Sequence, residues 1–220
     1  MNESNRGPGW TAAKRLGGKV AVVIGAGQSP GEGVGNGRAA AMRYAREGAH
    51  VLAVDRSLDS AEETAAAIRQ EGFDSVALAA DVTREGDLAH AMQEVQRLWG
   101  SLDILHNNVG VSIAGGDADV LDITEEAFDN ICRINLRGTV FACKHAIPIM
   151  RAQRSGAIVN ISSQASVIGA PLRGIYSGAK AGVNNLSRTM AAEWAAHGIR
   201  VNVVAPTVTR SPLAEQVVAE

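Results

Sequence analysis

Aromatic residues are scarce in these 220 residues: three Trp, three Phe and two Tyr, 4% of the chain. Stacked rings therefore cannot build the core, and aliphatic side chains must fill it, within a hydrophobic share of 46%. Cysteine is scarcer still, with Cys132 and Cys143 the only two. They stand eleven residues apart in one helical region, match no metal-ligand spacing, and read as reduced, buried thiols of a cytoplasmic protein. No metal is expected. Neither sign of charge dominates: 21 Lys and Arg against 23 Asp and Glu leave −2, with no basic tract for nucleic acid. No apolar run is long enough to span a membrane. Residues 1–15 hold Gly, Pro, Asn and Ser without an apolar run, and read as a flexible tail, not a signal peptide. Residues 16–220 suit a single domain with a sizeable core.

Within that domain, short β-branched runs alternate with longer helical patterns, which argues for βαβ units and a parallel sheet. Strands are expected at residues 20–24, 50–54, 75–79, 103–106, 157–161 and 200–204. Helices are expected at 38–47, 61–71 and 85–99, the last closed by Gly100. Thr124 caps a helix that runs to about residue 154 with a break near Asn135. A long helix covers 176–197, stopped by Gly198.

One of the two tyrosines carries the chemistry. Tyr176 and Lys180 stand four residues apart, so on a helix they share a face. A neighbouring ammonium favours the phenolate, which fits a phenol for general acid or base work near neutral pH. Ser163, thirteen residues upstream, is placed to hold a substrate oxygen. Asn135, twenty-eight before that serine, is placed to order a helix kink and a water leading to Lys180. A solvated helix face gives the same Tyr–Lys spacing, so the pair needs support from elsewhere in the chain.

That support lies at the other end. Gly25, Gly27, Gly31, Gly33, Gly35 and Gly37 fall between the first strand and its helix. Glycines there let backbone approach a pyrophosphate at a helix N-terminus, with Asn36 and Gly37 at the phosphates. Asp55 closes the second strand eighteen residues after Gly37, where a carboxylate accepts from the adenosine ribose hydroxyls. A 2′-phosphate would meet like charge there, so NAD is favoured over NADP, although Arg56 beside it offers a phosphate partner. Asp81 and Val82 suit an adenine amino group and an adenine face; a turn cap and a core valine are the plainer alternatives. Asn107, Asn108, Val109 and Gly110 end the fourth strand, where amides tie neighbouring strands and flank a cofactor.

With these residues in order, the chain resembles the short-chain dehydrogenase/reductase family over residues 16–213. The family's T-G-x-x-x-G-x-G maps to Ile24, Gly25, Gly35 and Gly37, and its N-N-A-G to residues 107–110 with Val109 for alanine. Asn135, Ser163, Tyr176 and Lys180 match its catalytic tetrad. Pro206, Thr207 and Ser211 match the segment after the sixth strand, with Ser211 at the position that contacts the nicotinamide carboxamide. The resemblance implies a Rossmann-type α/β fold, a doubly wound parallel β-sheet flanked by helices. It also implies hydride transfer between NAD(H) and a secondary alcohol or ketone, and a homodimer or homotetramer.

Four departures stand out. Ile24 replaces threonine, six extra residues sit within 28–34, and Thr207 replaces glycine. The family's final helices and seventh strand have no counterpart, which implies a piece of a longer protein. A non-catalytic nucleotide sensor on the same fold and an epimerase of the extended relatives remain as alternatives. The loop at 164–173 is expected to line the substrate pocket with Ala165, Val167, Ile168, Ala170 and Leu172, suiting an apolar or cyclic alcohol. Residues 111–119 supply the other wall. On the helix at 176–197, Ala181, Asn185, Ala192 and Ala196 form a small-residue face fit for a partner helix.

Overall fold

The computed structural model describes residues 14–28, 31, 33–207 and 209. Strands and helices alternate: β1 (Val20–Ile24), α1 (Asn36–Arg46), β2 (His50–Asp55), α2 (Leu58–Gln70), β3 (Ser75–Ala79), α3 (Glu85–Trp99) and β4 (Ile104–Asn107). Then follow α4 (Glu125–Cys132), a π-turn at Arg133–Arg137, α5 (Gly138–Gln153), β5 (Gly156–Ile161), α6 (Gly174–Trp194) and β6 (Ile199–Val204). The six strands run parallel in the order β3-β2-β1-β4-β5-β6. This is the doubly wound, Rossmann-type order, with the strand order switching between β1 and β4.

A sheet covered on both faces needs strands apolar throughout, and all five residues of β1 are buried. Register places Val76, Leu52, Val22, Leu105, Ile158 and Val201 in one row across the sheet. Leu88, Met92, Ala146, Met150 and Met190 of α3, α5 and α6 cover that row. Each fully buried Val or Leu contributes roughly 1.5–3 kcal/mol. On the opposite face small residues meet small residues: Ala21, Val23 and Ala53 against Ala41, Ala45 and Ala65 of α1 and α2. The second tyrosine, Tyr44, is used here, its hydroxyl 2.9 Å from Nδ1 of buried His106.

Several expected boundaries shift for local reasons. α2 begins at Leu58 because Ser57 caps it, its side chain accepting from Ser60 N–H. β4 is displaced by one residue; Asp103 just before it still bonds Val20 and Ala157 through its backbone, while its carboxylate binds Lys19 and the Val20 N–H. α6 opens at Gly174, which places Tyr176 in its first turn. Arg15, at the end of the expected tail, is tied to Glu47 through its backbone N–H and its guanidinium. Cys143 is buried, but Cys132 is half-exposed, because Ile131 and Asn135 take the inward side of that turn. Gly100 and Gly198 end their helices as left-handed caps, with φ 74° and 75°. No helix of the described residues is long and apolar enough to cross a membrane.

Candidate active site at the carboxyl ends of the strands

Parallel strands end together, so Ile24, Asp55, Ala79, Asn107, Ile161 and Val204 lie along one edge of the sheet. Nearly every residue singled out by the sequence sits there. The chain leaves β1 at Gly25, whose φ of +82° excludes most side chains; a Cβ there would lie 2.8 Å from Val109. A Cβ on Gly37 would fall 1.8 Å from the Gly25 carbonyl, so the start of α1 packs directly on the turn. Side chains from other elements brace the turn that follows Ile24. Thr64 of α2 donates to the Ala26 carbonyl at 2.8 Å, Ser60 accepts from Gln28 N–H at 2.7 Å, and Asn108 donates to the Gly25 carbonyl at 3.0 Å.

The lengthened part of the loop is stapled by Gln28. Its side-chain oxygen accepts from Gly35 N–H at 2.9 Å, and its Nε2 donates to the Gly33 carbonyl at 3.1 Å. Asp55 accepts from Gly27 N–H at 3.0 Å and from Ser57 N–H, which fixes a carboxylate beside the turn. Arg56 next to it is exposed. Asn36 reaches across to Thr209, 3.2 Å away, and so joins the start of α1 to the segment after β6.

Asp81 caps its own turn by accepting from Thr83 N–H at 2.8 Å. Burial pushes that carboxyl up, but the Thr83 hydrogen bonds with nearby Arg84 and Arg56 more than offset it, leaving it below its ordinary value. Val82 is buried against Gly138, so both plainer alternatives for this pair describe contacts present in the fold. Asn107 ties β4 to β5 through Asn160 at 2.8 Å, and Asn160 continues to Ser187 of α6 at 2.9 Å.

Asn135 is completely buried in the π-turn. Its amide donates to the carbonyls of Ile131 (2.9 Å) and Val111 (2.8 Å), and its oxygen accepts from Val111 N–H at 3.2 Å. The wide turn is the expected break: a side chain takes up the Ile131 carbonyl within the helix. Lys180 is 2% exposed, and its ammonium donates to the Ile161 carbonyl at 2.8 Å and the Val109 carbonyl at 3.4 Å. Burial lowers its pKa to about 8. The same ammonium lies 5.7 Å from the centroid of the Tyr176 ring. Gly110 fits between the two groups, for a Cβ there would sit 2.9 Å from Asn135 Oδ1 and 3.2 Å from Lys180 Nζ.

A family model described as short chain dehydrogenase matches residues 19–220. The chain belongs to the short-chain dehydrogenase family. It is therefore an oxidoreductase of a family that uses NAD or NADP. This short-chain dehydrogenase is 36% identical over 199 residues to a 2-(R)-hydroxypropyl-CoM dehydrogenase of Xanthobacter autotrophicus, covering 90% of this chain and 77% of that one. It is 39% identical over 195 residues to a cis-4-hydroxycyclohexanecarboxylate dehydrogenase of Sinomonas cyclohexanicum, covering 89% and 75%. A crystal structure of a chain assigned as a short-chain dehydrogenase/reductase from Burkholderia xenovorans superposes with a TM-score of 0.87. Identity to it is 38%, over 93% of this chain and 80% of that one.

The residues present fit a dinucleotide: a glycine turn at the topological switch point, a helix N-terminus above it, and a carboxylate closing β2. Ser163 is half-buried and extended at the end of β5, its hydroxyl accepting from Ala165 N–H at 3.2 Å. Beyond it Val167, Ile168 and Leu172 expose apolar side chains, while Ala165 is half-buried. The Pro206 carbonyl accepts from Gln164 N–H at 2.9 Å, and Thr207 is exposed; Ser211 lies outside the described residues. Among the described residues no three His, Cys, Asp or Glu side chains gather as metal ligands.

One residue escaped the sequence. The carboxylate of Asp117, 5% exposed, accepts from the backbone N–H groups of Ile175 and Tyr176. The only sequence signal for it is an acidic residue after Gly115-Gly116, within the stretch expected to form a wall.

Proposed function

We propose that this short-chain dehydrogenase reversibly oxidises a secondary alcohol to a ketone with NAD, and that Tyr176 is its acid/base. The observation that carries the reading is the seat of Lys180, a buried ammonium fixed by two carbonyls beside the Tyr176 ring. With a pKa of about 8 it is mostly charged at neutral pH, and a charge there favours the phenolate. In oxidation Tyr176 takes the hydroxyl proton; in reduction it returns one. Ser163 holds the substrate oxygen. Asn135 and Lys180 pack on either side of Gly110, and the proton from Tyr176 would be relayed past them towards solvent.

The bound dinucleotide supplies hydride acceptance and donation; the protein supplies position and field. Gly25, Gly27, Gly35, Asn36 and Gly37 would hold its pyrophosphate, Asp55 and Arg56 the adenosine ribose, and Asp81 and Val82 the adenine. Asn108, Val109, Gly110 and Lys180 would hold the nicotinamide ribose side, with Pro206, Thr207 and Ser211 at the carboxamide. The Asp55 carboxylate supports NAD over NADP. Apolar Val167, Ile168 and Leu172 support an apolar or cyclic alcohol, in keeping with the relative named for a hydroxycyclohexanecarboxylate. Exposed Ala181, Asn185 and Ala192 on α6, with exposed Ala196 in the turn after it, support a homo-oligomer, and the composition supports a cytoplasmic setting.

Cofactor fluorescence with NADH and NADPH, followed by turnover of a panel of cyclic and linear ketones, tests the reading. NADH should bind tighter by about tenfold or more, a difference of about 1.4 kcal/mol, and at least one ketone should oxidise it. Failure to bind either nucleotide contradicts the proposal.

A further inference from the structure

We infer that Asp117 is a positioning residue for Tyr176, an inference that rests on the proton-transfer reading above. Two of the helices bring their own caps: Ser57 accepts from Ser60 N–H at α2, and Thr124 from Ala127 N–H at α4. α6 brings none. Arg173 at its N-cap makes no side-chain cap, and no acidic residue lies in its first turn. Its free N–H groups are instead met from 58 and 59 residues away, where the Asp117 carboxylate accepts from Ile175 at 3.2 Å and Tyr176 at 3.0 Å. A carboxylate at this end also suits the helix dipole.

The segment carrying Asp117 is itself fixed at both ends. Asn135 grips Val111 through its N–H and its carbonyl, and Asp117 grips the first turn of α6. Between them Gly116 turns at φ +98°, where a Cβ would strike Ala127 of α4 at 2.8 Å. Residues 111–117 are thus a strap from Asn135 to Tyr176. On the other side, Leu172 enters the helix at φ 60°, a conformation a leucine adopts only when its surroundings impose it. Without Asp117, the first turn of α6 is free to fray, whereas Lys180 remains buried a turn further on. The phenol then leaves its ammonium.

The test uses Asp117→Ala and the near-isosteric Asp117→Asn, with NADH binding, kcat and KM on a responsive ketone, and amide exchange at Ile175 and Tyr176. Misplacing a reacting group by an ångström costs up to about a hundredfold in rate, so Asp117→Ala should lose about tenfold to a hundredfold in kcat. NADH affinity should hold, and exchange at the two amides should quicken while that of Lys180 does not. Asp117→Asn, which keeps one acceptor, should fall between. Asp117→Asn with wild-type kcat and wild-type exchange overturns the inference, also where the alanine variant fails to fold. Should the wild type turn over no ketone, the proposed reaction fails separately, and amide exchange alone decides whether Asp117 anchors the turn.

Discussion

Lys180 Nζ lies 5.7 Å from the centroid of the Tyr176 ring while donating to the Ile161 carbonyl at 2.8 Å. The last residue of β5 therefore sets where the ammonium stands, and one helical turn sets where the phenol stands relative to it. Among the described residues no carboxylate forms a salt bridge with Lys180, so its charge is not cancelled locally.

Burial lowers the pKa of Lys180 to about 8 from 10.5, which makes both stability and rate depend on pH. Between those values the folded chain has released this proton and the unfolded chain has not. Stability contributed through Lys180 accordingly rises with pH in that window, by at most about 1.4 kcal/mol per pH unit; below it both states are protonated and the cost of burying the charge is complete. Urea unfolding of wild type and Lys180→Met should show the wild type gaining on the variant from about pH 8 upward. Parallel pH curves would contradict the assignment. Ketone reduction should also slow above about pH 8, as the ammonium beside Tyr176 is lost.

Asn135→Ala removes three hydrogen bonds from a buried turn and leaves the Val111 N–H and carbonyl without that partner. Each buried orphan costs about 1–3 kcal/mol, so a loss of about 2–4 kcal/mol in unfolding free energy is expected by urea titration. A loss below about 0.5 kcal/mol would mean that the turn does not depend on this side chain.

Gly37→Ala places a methyl group 1.8 Å from the Gly25 carbonyl, an approach that no rotamer change relieves. The glycine turn must open, and NADH binding should fall by more than about tenfold while far-ultraviolet circular dichroism stays close to wild type. Unchanged affinity would place the pyrophosphate elsewhere.

Much of the fold was legible because its signals are local. The strand Val20–Ile24, the strand Ser75–Ala79 and the helix Glu85–Trp99 with its Gly100 cap follow from apolar runs, periodicity and one glycine. The break near Asn135 was legible too, as a π-turn. What the sequence concealed depends on partners far away. The Asp103 side chain pairs with Lys19, 84 residues away, and Gln28 closes the glycine loop through Gly33 and Gly35. Asp117 meets Tyr176 only because β4 and β5 are adjacent in the sheet and bring their loops together. No periodicity in the chain encodes those meetings. Cys132 was misjudged for a related reason, since which side of α4 faces inward is decided by the Ile131–Asn135 contact.

The central claim is tested most directly by Tyr176→Phe, assayed for NADH binding and ketone turnover in the same preparation. A positioned acid or base contributes about 10²–10⁴-fold, so kcat should fall by at least a hundredfold while NADH affinity stays within about twofold. A variant that retains more than a few per cent of wild-type turnover would contradict Tyr176 as the acid/base.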